Sequence, residues 1–186
     1  MNQLSVAIIG LIGVAFMGGI HLGIERLGMA RSQVFAAIAT FVSLTPIRSR
    51  LVSGFIHVLA GLLFTWLYAG VFDLLHPLTV GAYVKMGAGL GLAHGLLLSF
   101  FLLTDLASVD VQDNGDNRSL TGALINILSH VGFGAILGLG FGARALTSSF
   151  PIFVLIAIGT FAVVAGVYVL ALEPVLKRYV KNSGPS

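Results

Sequence analysis

Apolar and polar positions do not alternate along this chain; they come in blocks. Apolar runs occupy approximately residues 4–25, 51–72, 81–104, 120–143 and 150–172, each bounded by charge, proline or a polar group. A helix rises about 1.5 Å per residue, so about 20 apolar residues cross a hydrocarbon core roughly 30 Å thick. The pattern predicts an all-α integral membrane protein with five transmembrane helices. A further stretch, RSQVFAAIATFVSLTP at 31–46, sets Val34, Phe35, Ile38, Phe41 and Val42 at helical spacing. It is too short, and too close to Arg31 and Pro46, to count as a span, and reads as an interfacial helix or an extension of the first. The remainder is a polar loop at 105–119 and a tail at 173–186, in a single membrane domain covering 1–186.

Composition sharpens this picture. Hydrophobic residues make up 57% of the chain and charged ones 9%, with a mean hydropathy of +1.02, whereas soluble domains carry roughly a quarter charged residues. The absence of cysteine excludes disulfides, thiolate metal sites and thiol nucleophiles. The net charge of +3 comes from basic residues scattered over short loops rather than a basic stripe, so nucleic acid is not an expected partner. Their distribution instead predicts topology. Arg26, Arg31, Arg48, Arg50, Arg118, Lys177, Arg178 and Lys181 fall on one side of the membrane, and only Lys85 and Arg144 on the other. The positive-inside rule then places the amino terminus outside and the carboxyl terminus, with the 105–119 loop, in the cytoplasm. A bacterial-type inner membrane is the expected location. The first run has no basic residue before it and ends in His21, Glu25 and Arg26, the pattern of a span rather than of a cleaved leader.

Against this apolar background the histidines stand out. Four of the five lie in the first four runs: His21, His57, His94 and His130. His21 and His94 are 73 residues apart, and so are His57 and His130. The same offset superposes Ala15 on Ala88 and Gly18 on Gly91, then Leu51 on Leu124, Val58 on Val131 and Gly61 on Gly134. GxxH thus recurs in helices one and three, and HVxxG in helices two and four. The pattern suggests a tandem two-helix repeat forming a four-helix bundle, its units related by an axis along the membrane normal. On that symmetry His21 faces His94 across the axis, and His57 faces His130.

An ionisable group inside a bilayer is costly and is a functional candidate by default. Neutral imidazole is a ligand for transition metals and for haem iron, and bundle cores are where such sites are built. Glu25 lies one turn after His21 on the same helix face; it is suited to completing a metal site or accepting a ring N–H, or else to snorkelling toward Arg26. His21, His57, His94 and His130 are therefore the candidate cofactor-binding residues, and these four with Glu25 the candidate metal ligands. The bland alternative is glycine-rich helix packing with hydrogen-bonded histidines, since glycines lie close to all four. Asp73 and His76 read as polar helix ends. The stretch from Asp110 loosely follows an EF-hand loop, but Thr121 stands where that motif needs glutamate.

No GxSxG, phosphate-binding glycine loop, HExxH or close carboxylate pair is present, which points to a subunit rather than an enzyme by itself. Three functions stay open. The leading one is a haem-, tetrapyrrole- or metal-binding subunit of a larger membrane assembly, its partners being the lipid bilayer and other membrane subunits or further copies of the chain. The second is a metal-ion or proton transporter or channel, although a path of that kind would more naturally show further carboxylates besides Glu25. The third is an assembly or packing subunit whose histidines only hydrogen-bond. Haem would use one pair of imidazoles, and a bare metal site all four.

Overall fold

The computed structural model of the chain describes residues 2–26, 46–108 and 116–146, together with 154–155, 158–159 and 162. Among them the protein is all-helical, with four long helices: α1 (Gln3–Arg26), α2 (Pro46–Leu75), α3 (Val80–Ser108) and α4 (Asp116–Leu146). Each carries a stretch long and apolar enough to cross a membrane: Gln3–His21, Val52–Leu75, Val80–Phe101 and Leu120–Ala145. The expected interfacial segment before Pro46, the tail, and most of the fifth apolar run lie outside the described residues. From that fifth run, Val154 is seen packing on the core.

The helices run past the apolar blocks that predict them. Main-chain hydrogen bonding does not stop where the hydrocarbon does, so α2 starts at Pro46, takes in Arg48 and Arg50, and only then enters its apolar stretch. Proline suits a first helical position because its missing N–H would have had no partner there. Likewise α3 continues to Ser108 and α4 begins at Asp116, so the expected 105–119 loop shrinks to the residues between them.

Local chemistry sets the ends. Asn2 caps α1, its Oδ1 accepting from the Ser5 N–H at 2.8 Å. At the other end of the first hairpin, the His76 N–H still donates to the Phe72 carbonyl at 3.0 Å, but His76 itself turns to φ 45°. Pro77 follows, and the residue before a proline is driven out of the right-handed helical region. Thr79 then caps α3 through Oγ1, which accepts from Ala82 N–H at 3.1 Å. Asp73 and His76 are both exposed at this turn, as helix-end residues should be.

Burial divides the four helices into two kinds. Half of α4's apolar stretch and 44% of α1's are buried inside the protein, against 28% for α2 and 22% for α3. Accordingly α4 packs on both α1 and α3, and α1 packs on both α2 and α4, while α2 touches α3 and α4 only lightly. The core where these meet is apolar and aromatic, with Ile9, Phe72, Phe133, Leu137 and Phe141 all but sealed. Phe72 joins α2 to the others, its ring 5.2 Å from both Tyr83 and Phe141. Large apolar side chains such as Phe55, Leu63 and Phe100 are more than 60% exposed, an arrangement that water would penalise and lipid does not.

The α3–α4 seam follows from small residues at four-residue spacing. Gly87, Gly91, Gly95 and Ser99 form one stripe on α3, and Gly134, Gly138 and Gly142 a matching stripe on α4. With no side chains between them the backbones touch: a Cβ placed on Gly134 would strike the carbonyl of Gly87, one on Gly91 that of His130, and one on Gly138 that of Tyr83. At the end of the seam Ser99 Oγ donates to the Ala123 carbonyl at 3.2 Å and accepts from Asn126 Nδ2 at 3.0 Å.

The α1 seams are built differently. Here glycines receive side chains, Gly61 facing Val14, Gly13 facing the Phe133 ring, and Gly140 facing Ile9. Far along the chain, Arg144 Nε donates to Ser5 Oγ at 3.3 Å and ties the end of α4 to the start of α1.

Candidate functional site

All four intramembrane histidines come from different helices, and the rings meet in two pairs. His21 and His57 stand 6.5 Å apart, centroid to centroid, with their planes at 88°. His94 and His130 stand 4.5 Å apart with planes at 69°. Both pairs therefore lie within a hairpin, α1 with α2 and α3 with α4, whereas symmetry alone had set the rings facing across the axis. The glycine contacts fix the registers, Val14 level with Gly61 and Gly91 with His130, so the rings of each pair meet across just under one turn of stagger.

In the second pair His130 is buried and His94 half-buried. His94 lies in a face-on stack against Phe64, with centroids 3.7 Å apart and planes at 30°. Its Nδ1 is 3.4 Å from the Tyr68 hydroxyl, while its Nε2 is buried without a hydrogen-bond partner among the described residues. His130 Nδ1 is 2.8 Å from the main-chain oxygen of Asn126. A carbonyl only accepts, so Nδ1 carries the proton and the neutral ring keeps its lone pair on Nε2. Gly91 and Gly95 press directly on the backbone and Cβ of His130, which leaves no slot between α3 and α4.

The first pair is buried to a similar degree. His21 is buried at 6% exposure and His57 is partly buried. The α1–α2 register passes from Gly10 against Thr65 to Val14 against Gly61. Continued one turn, it sets Gly18 level with His57 and Gly54 level with His21. Among the described residues, a Cβ added to Gly18, Gly19 or Gly54 would meet nothing within 4 Å.

Among the described residues, no group of three or more His, Asp or Glu side chains is placed to hold a metal ion. A bare ion would find imidazoles two at a time rather than the four that one metal site would need. Glu25 falls in the last turn of α1, beyond the apolar stretch that ends at His21, and its side chain lies outside the described residues.

Several neighbours were not singled out from the sequence. Asn126 offered a signal, a polar residue one turn before His130 on the same helix face. Tyr68, Phe64 and Ser99 offered none, because their roles depend on how α2 and α4 register against α3. Other buried hydroxyls are satisfied within their own helices, Thr65 Oγ1 donating to the Gly61 carbonyl at 2.7 Å and Ser129 Oγ to that of Ile125 at 2.8 Å. No protein-family model matches the chain, and no curated protein or solved structure is similar to it.

Proposed function

We propose that this chain is a multi-pass membrane subunit that holds a metal-centred cofactor, a haem or another tetrapyrrole, through imidazoles inside its spans, and serves a larger membrane assembly rather than acting as an enzyme by itself. The observation that carries this reading is the meeting of imidazoles from four separate helices as two ring pairs inside the bundle. A tetrapyrrole is favoured over a bare ion because it brings four ligands of its own and asks the protein for one or two. The same reading takes the run 150–172 as a fifth span, with the amino terminus outside and the carboxyl terminus inside a bacterial-type inner membrane. Other subunits or further copies of the chain are its expected partners.

An assembly subunit with purely structural histidines is the second reading. The stack of His94 on Phe64 and its contact with Tyr68 favour it for that residue.

An absorption spectrum with metal analysis on the purified protein separates the two. A Soret band or a bound metal in stoichiometric amount is expected. A folded protein that is colourless, metal-free and unable to take up haemin leaves the structural reading standing.

A further inference from the structure

We infer that His94, His130 and Asn126 together bind one water molecule where the α3–α4 seam meets α2. The water accepts from His94 Nε2–H and donates to His130 Nε2 and Asn126 Oδ1. The inference goes beyond the tetrapyrrole reading and does not use it, giving the second ring pair a ligand of another kind.

Matching donors to acceptors identifies the site. Asn126 is buried at 2% exposure, and its Nδ2 donates to Ser99 Oγ at 3.0 Å. Its Oδ1 is sealed without a hydrogen-bond partner among the described residues. His130 uses its Nδ1–H on the main-chain oxygen of Asn126 at 2.8 Å and keeps a lone pair on Nε2. Tyr68 decides the state of His94. That phenol is buried, and its hydrogen-bond contact is His94 Nδ1 at 3.4 Å. A buried O–H left without an acceptor is costly, so Tyr68 donates to Nδ1 and the neutral His94 ring carries its own proton on Nε2. That N–H is sealed and without an acceptor among the described residues.

What remains is one donor and two acceptors, the complement of a water that accepts once and donates twice. The three groups are neighbours. The two rings stand 4.5 Å apart, yet His94 Nε2 makes no hydrogen bond to His130 across that contact. Asn126 precedes His130 by one turn of α4, and a Cβ on Gly95, beside His94, would strike the Cα of Ile127, beside Asn126. Buried waters make about three hydrogen bonds to polar groups that the protein leaves unsatisfied, and a lipid surround raises the cost of leaving them so. A metal ion on the same atoms would need the other tautomer of His94, with the lone pair on Nε2 and Nδ1–H donating to Tyr68. The position of one proton therefore separates the two ligands.

The test is nitrogen-15 magnetic resonance on the full chain, labelled at histidine, in lipid bilayers at neutral pH. His94 is expected in the Nε2–H form and His130 in the Nδ1–H form, with a cross-peak from water to His94 Nε2–H. Asn126→Leu should abolish that cross-peak while leaving the His94 tautomer in place, because Tyr68 sets it. Tyr68→Phe should release His94 into a mixture of tautomers without changing His130. A wild-type protein with His94 protonated on Nδ1, or with an Nε2–H that has no contact with water, overturns the inference. So does a cross-peak that survives Asn126→Leu, or a stoichiometric metal that shifts the Nε2 resonances of both rings.

Discussion

The two hairpins of this protein share a sequence pattern and use it in opposite ways. At the 73-residue offset Gly18 corresponds to Gly91 and Gly61 to Gly134. In the second hairpin both glycines lie against main-chain carbonyls of the opposite helix; in the first, Gly61 takes the Val14 side chain and Gly18 meets no neighbour among the described residues. A glycine inside a membrane helix is thus an allowance for something close by, and what arrives depends on the neighbour. Backbone contact gains dispersion over the whole seam but cannot yield, because no side chain stands between the helices to move. Side-chain contact is adjustable.

This contrast can be tested with equivalent substitutions, read as unfolding free energy in mixed micelles. The largest effect is expected at Gly134→Ala and Gly91→Ala, where the added methyl meets a carbonyl oxygen and the helices must part, at a cost of about 3 kcal/mol each. A cost near zero would show that the seam is not held by backbone contact. At Gly61→Ala the obstacle is one methyl of Val14, whose β-branched side chain has a single favoured helical rotamer and gives way reluctantly. A loss of about 1–2 kcal/mol is expected, most of it recovered in the double variant with Val14→Ala. No recovery would mean that α1 and α2 also meet at the backbone. Ser99→Ala removes an interhelical donor and leaves Asn126 Nδ2 without its acceptor; membrane hydrogen bonds of this kind contribute about 1 kcal/mol or less, so the loss should be small but measurable. Gly18→Ala should change stability by no more than about 0.5 kcal/mol, with a slight gain from helix propensity. A large penalty there would show that Gly18, too, lies against a neighbour.

The existence of the four described helices was legible because each depends on a local property, a run of residues that hydrocarbon tolerates. Their ends were less so: Arg48, Arg50 and Arg118 sit inside helices because main-chain hydrogen bonding continues past the apolar block that predicts each span. The four histidines were also found by a local rule, their cost in lipid. Their pairing was not. Repetition suggested partners across an axis, whereas helix-hairpin geometry brings His21 to His57 and His94 to His130. Nor does GxxH tell whether its glycine admits a backbone, a side chain or nothing, since that is settled by a helix far away in the sequence. His94, the most conspicuous residue in the apolar run GAGLGLAHGLLL, is the one whose surroundings look most like packing.

The tie between Ser5 and Arg144 spans 139 positions of the chain, and it fixes an order in time. During synthesis α1 reaches the membrane first, yet one of its two packing surfaces is supplied by α4, the last of the four to arrive. The α3–α4 hairpin needs only its own two members and can close as soon as both are inserted. The earliest segment made is therefore among the last to be completed, and until then it depends on α2 and on lipid.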